Sequence, residues 1–178
     1  MPNVIALIRA DLKVSVDEKT RQSFQRFFKE QVKYYGVKIE IVRKIAKKYW
    51  RQVKTLDKQA IFALCEELYR SDSTEEAFIG ALWLPNYIEH LEPIDLATFK
   101  KWIERYINNW AKCDGFCNHA IGDLIQKYPE TVIEVKSWAK NQNRWLKRAA
   151  AVSLIVPAKR GLFLLDSFEI CDVLRARW

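Results

Sequence analysis

Glycine and proline are scarce in this chain, five of each in 178 residues. A sandwich or barrel needs a turn signal about every 8–12 residues and draws on both, so that supply argues against an all-β fold. Four cysteines (Cys65, Cys113, Cys117 and Cys171) fall far short of a disulfide scaffold. Long apolar runs are missing too, and none approaches the roughly 20 residues that span a bilayer. The first residues, "MPNVIALIRADLKVSV", lack the basic start, apolar stretch and small-residue cleavage site of a signal peptide. These absences describe a reduced, cytoplasmic, soluble protein with no membrane partner.

Hydrophobic residues make up 49% of the chain, which excludes a disordered segment. The length suits one domain over residues 1–178 with a real core. Lysine and arginine number 30 against 22 acidic residues, a net charge of +8 and a pI near 9.3. That balance favours a polyanionic partner such as nucleic acid, although a ribosomal or membrane-surface protein shares it.

The apolar periodicity is helical almost throughout. "SFQRFFKEQVKYYG" predicts a helix with Phe24, Phe27, Phe28, Val32 and Tyr35 on one face and Gly36 as its C-cap. "KIEIVRKIAKKYWRQVK" sets Ile39, Val42, Ile45, Ala46 and Tyr49 at three- and four-residue steps. "DKQAIFALCEELYRS" begins on a capping Asp and shows Ile61, Leu64, Cys65 and Leu68. "STEEAFIGALWLPNYIEHL" opens on a capping box at Ser73 or Thr74, and Pro85 breaks it. Five more segments of this kind follow, giving roughly ten helices joined by short polar turns. The pair unit recurs about every 35–45 residues, the HEAT-type range. The expected class is all-α, an α-solenoid of antiparallel helix pairs, with a compact bundle as the rival.

Opposite the apolar face of residues 39–50 run Lys38, Arg43, Lys44, Lys47, Lys48 and Arg51, interrupted only by Glu40. Such runs are commonly solvated faces; an almost purely positive stripe is also what a phosphate backbone would select.

The densest chemistry lies in "NNWAKCDGFCNHAIG", Asn108 to Gly122. Cys113, Cys117 and His119 suggest a metal. Structural zinc takes four ligands, the other histidine, His90, is distant in sequence, and 119 leaves the helix face shared by 113 and 117. Both cysteines are expected to be small buried hydrophobes, with no metal and no thiolate nucleophile. With a helix starting near Lys112, Asp114 falls in its first turn, where a carboxylate complements the helix dipole. Trp110 just before it would seal the core. In "NRWLKRAAAVSLI", Trp145 and Arg148 stand three apart and so share a helix face.

Together "YYGVKIEIVRKIAKKYW", "NNWAKCDGFCNHAIG" and "NRWLKRAAAVSLI" resemble, in order and separation, the DNA alkylation repair family of HEAT-like-repeat DNA glycosylases of the AlkD type. The resemblance covers most of the chain. It implies an α-solenoid that holds duplex DNA and removes cationic N3- or N7-alkylated purines by hydrolysing the N-glycosidic bond, without metal or cofactor. On it, Asp114 aligns with the catalytic carboxylate, Trp110 with an aromatic on the lesion-bearing nucleotide, and Arg148 with an arginine on the adjoining backbone. Arg43, Lys44, Lys47, Lys48 and Arg51, with Trp145 and Lys147, would then contact DNA. Against the family pattern the chain is short by about one repeat at its C-terminal end, where "DVLRARW" matches no family motif. The alternative reading is a non-catalytic HEAT-like scaffold binding DNA or protein.

Overall fold

The computed structural model describes residues 3–28 and 31–176. Among them the secondary structure is helical, with no strand and one isolated parallel bridge between Lys33 and Ser73. This is the all-α class that the periodicity predicts. The chain divides into two compact units, Met1–Leu84 and Pro85–Trp178.

The first unit holds α1 (Val4–Val14), α2 (Glu18–Phe27), α3 (Ile39–Val53), α4 (Lys58–Arg70) and α5 (Thr74–Trp83). The sequence reading passes over α1, although Asn3 caps it and Ile5, Ile8 and Leu12 are buried at helical spacing. On α3 the buried residues are Val42, Ile45, Ala46, Tyr49 and Val53, whereas Ile39 at its first position is exposed. Asp57 caps α4 through the Ala60 N–H at 2.8 Å. The short link from α4 to α5 folds the two into a contacting pair, and α3 packs on α5 as well. Helix α5 is therefore buried almost all round, down to Trp83, whose indole N–H donates to the Ala46 carbonyl at 2.9 Å. It ends where Pro85 requires, passing into a 3-10 segment, Leu84–His90.

Residues 23–36 do not form the single helix that their periodicity predicts. Helix α2 stops at Phe27, and residues 31–38 run without helix. The reason is Glu75, buried at the start of α5. Its carboxylate accepts the backbone N–H groups of Tyr35 (3.1 Å), Gly36 (2.8 Å) and Val37 (3.2 Å), donors that a helix would otherwise have to satisfy. Glu76 beside it accepts the Tyr35 hydroxyl at 2.7 Å and Arg9 Nε at 3.1 Å. Gly36 is no C-cap: it bends the chain at φ +91° against Arg21, whose Cβ would stand 2.6 Å from an added methyl group.

The second unit contains α6 (Asp95–Tyr106), α7 (Trp110–Phe116), a π-helical turn (Cys117–Ile121), α8 (Gly122–Lys127), α9 (Val132–Trp138), α10 (Arg144–Val152), α11 (Ile155–Lys159) and α12 (Leu164–Arg175), with a 3-10 turn at Pro129–Thr131. Phe99 and Trp102 of α6 meet Phe116 of α7 to form its aromatic core. Helix α10 packs on α6, α7 and α9, and its buried Ala149 and Ala150 keep its contact face shallow. Gly122 lets α8 approach the end of α10; a Cβ there would lie 2.8 Å from the Ser153 carbonyl oxygen. Helix α12 buries only Ile170 and leaves Leu165 and Phe168 exposed.

Candidate active site

Two asparagines set the site. Asn109 caps α7, its side chain accepting the Lys112 N–H at 2.9 Å. Asn143 caps α10, accepting the Trp145 N–H at 2.8 Å. The first helix thus starts at Trp110, not near Lys112. Asp114 is the fifth residue of α7, beyond the first turn where a helix dipole would claim it. Arg148 is the fifth residue of α10.

These two residues meet. Arg148 Nε donates to Asp114 Oδ1 at 2.6 Å and Nη2 donates to Oδ2 at 2.7 Å, a fork-to-fork pair across the α7–α10 contact. The Asp114 side chain is 25% exposed and that of Arg148 40%, so the pair sits in the surface, open on one side. The carboxylate pushes the Arg148 pKa further up, fixing its positive charge. Nη1 takes no part in the pair and is left for another acceptor. A third link backs the arrangement: the buried Cys113 thiol donates to the Trp145 carbonyl at 3.6 Å.

Trp110 precedes Asp114 by one turn of α7, and Trp145 precedes Arg148 by one turn of α10, so each half-buried indole borders its partner in the pair. The Trp145 ring carries the Arg144 guanidinium 4.3 Å from its centroid. Lys147 is half-buried on α10.

Of the stripe on α3, Arg43, Lys44, Lys47 and Arg51 are exposed, and among the described residues none has an acidic partner. Lys48 differs, since its ammonium lies 2.7 Å from Asp11, which also accepts the Tyr49 hydroxyl at 3.0 Å. That contact lowers the Asp11 pKa, so Lys48 is already committed to an anion of its own unit.

Cys113 and Cys117 are buried completely, and burial pushes the Cys117 thiol well up, so it is no thiolate. His119 is exposed on the same rod, and the three do not converge.

Lys112 marks no more than a helix start in the sequence, yet it is buried, with its ammonium 3.0 Å from Asn108 Oδ1. A lysine in a basic chain gives no such signal. The π turn leaves none either: the buried positions 113, 116, 117, 120, 121, 124 and 125 keep the three- and four-residue spacing of an ordinary amphipathic helix.

A sequence model of the family described as DNA alkylation repair enzyme matches residues 8–176. A comparison with curated proteins found no match.

Proposed function

The chain belongs to the DNA alkylation repair enzyme family, and from that premise we propose that it is a monofunctional DNA glycosylase of the AlkD type. It releases cationic N3- or N7-alkylated purines from duplex DNA. The observation that carries this reading is the Asp114–Arg148 pair, a carboxylate held at both oxygens in a partly open surface, with Trp110 one turn before Asp114 on α7 and Trp145 one turn before Arg148 on α10.

The chemistry suits that equipment. A purine alkylated on N3 or N7 is already positive and departs as a neutral base, so little acid catalysis is needed at the leaving group. Charge develops on the sugar instead. Asp114 stabilises the oxocarbenium-like sugar and accepts a proton from the attacking water. Arg148 grips both carboxylate oxygens from one side, which prevents the side chain from rotating away. Its Nη1 donates to a phosphate beside the lesion, linking backbone binding to carboxylate position. Trp110 presents its aromatic face to the cationic nucleotide, whereas Trp145, whose ring already carries Arg144, contacts the DNA beside it. Arg43, Lys44, Lys47, Arg51 and Lys147 contact phosphates without regard to sequence, and Lys48 contributes only after leaving Asp11.

The deciding experiment incubates the purified protein with methylated duplex DNA and measures free 7-methylguanine and 3-methyladenine. The expected result is release by the wild type and its suppression in a folded Asp114→Asn variant. A wild type that binds duplex and releases no base is a DNA-binding scaffold instead.

A further inference from the structure

Helix α2 folds with none of its described side chains buried. A helix with no buried stripe gains little from the core and is marginal by itself. It is held at its N-terminal end: Asp17 accepts the Thr20 N–H and hydroxyl, both at 2.8 Å, and pairs with Lys38 at 3.2 Å. The Asp17 N–H donates to the Gly36 carbonyl at 2.9 Å. Beyond that end Phe24 packs half-buried on Phe28 and Tyr34, and the other described side chains from Arg21 to Phe27 are exposed.

One face of it is organised. Lys19, Gln22, Ser23, Arg26 and Phe27 follow each other at helical steps and line a groove of about 310 Å³. Glu18, the lone acid of α2, is turned to Arg21 and Gln22. Lys19 and Arg26 have no acidic partner among the described residues. Phe27 beside them is 66% exposed. Two cations with no acidic partner among the described residues, two neutral hydrogen-bonding side chains and an exposed ring are the equipment of a sugar–phosphate contact. The cations stand about 10 Å apart along the helix, and their long stems can reach two phosphates.

We propose that this face of α2 is a second duplex-DNA contact, separate from α3: Lys19 and Arg26 neutralise backbone phosphates, and Phe27 packs on the sugar edge. The occupant is the duplex because charge complementarity demands a polyanion; the inference rests on DNA being the substrate.

The test measures binding of the full chain to an undamaged duplex between 50 and 200 mM salt. Each neutralised phosphate contributes about 0.9 to the slope of log affinity against log salt. K19A/R26A should flatten that slope by about 1.8, weakening binding most at low salt. F27A should weaken binding and leave the slope unchanged. Circular dichroism checks that each variant is folded. A K19A/R26A slope equal to wild type overturns the proposal, as does loss of single-stranded RNA binding with the duplex slope intact. Failure of the glycosylase reading looks different: the wild type then binds duplex with its full salt slope and releases no base.

Discussion

Asp114→Asn replaces one carboxylate oxygen by an amide nitrogen and removes the charge. The remaining oxygen can still accept from Arg148, but the new NH2 group faces a second guanidinium N–H, donor against donor. One charge-assisted bond is lost and the other is weakened. A buried bond to a charged group contributes about 1.5–3 kcal/mol, and an exposed ion pair about 0.2–1 kcal/mol. With Asp114 25% and Arg148 40% exposed, the expected loss lies between these ranges, about 1–1.5 kcal/mol. For a chain of this size that lowers Tm by roughly 2–6 °C. The effect on chemistry should be far larger: removing a group that stabilises transition-state charge costs about 10²–10³ in rate, or about 3–4 kcal/mol. The assay is single-turnover release of 7-methylguanine at saturating protein, with thermal melting on the same preparation. A folded variant that releases base within about threefold of wild type refutes the assignment of Asp114. A fall in Tm several times larger than stated would mean that the pair is chiefly a structural clasp between α7 and α10.

Other perturbations address the frame around the site. Gly122→Ala drives a methyl group to 2.8 Å from the Ser153 carbonyl oxygen; overpacking of this kind should cost about 1–3 kcal/mol, read as a lowered denaturant midpoint, and an unchanged midpoint would deny the close approach. Asp17 is held down to about 2 from 3.8 by the Thr20 hydroxyl, the Thr20 N–H and Lys38. Its folded pKa lies below the unfolded one, so its support for α2 is complete above about pH 4 and is lost as the pH falls toward 2. NMR signals of α2 should report that loss, and Asp17→Asn should remove the pH dependence. A thiol reagent should label Cys171, which is exposed, and spare Cys65, Cys113 and Cys117 in the native protein; rapid labelling of Cys113 would show that the α7–α10 contact opens.

Legibility in the sequence followed the range of the interactions. Helices α3 and α4 declare themselves because their apolar stripes, and the Asp57 cap of α4, are local. Residues 31–38 carry helical spacing too, but Glu75, about 40 positions away, supplies the hydrogen bonds that draw them out of helix. No window of sequence contains both partners. The candidate site divides the same way. Trp110 with Asp114, and Trp145 with Arg148, are each readable as neighbours on one helix. The contact that joins the two helices spans 34 residues and follows from no spacing rule; only family resemblance suggested that these positions work together. The sequence sets the start of α7 near Lys112, two residues late, and so pairs Asp114 with a helix dipole instead of with Arg148.

The π turn at Cys117–Ile121 makes the rod from Trp110 to Lys127 behave like a vernier. Two requirements act on that rod at fixed places. At one end Asp114 must face Arg148, and at the other Gly122 must present its bare Cα to Ser153. A uniform helix links such positions by angle, about 100° for every residue between them. The chain instead carries one residue more than a uniform helix would, and takes it up between them as a wider loop of backbone. Angular register is thereby decoupled from residue number within that turn and nowhere else in the rod. Variation in length can be absorbed there with both ends still aimed, whereas a residue gained or lost between Trp110 and Asp114 would swing the carboxylate out of the reach of its arginine.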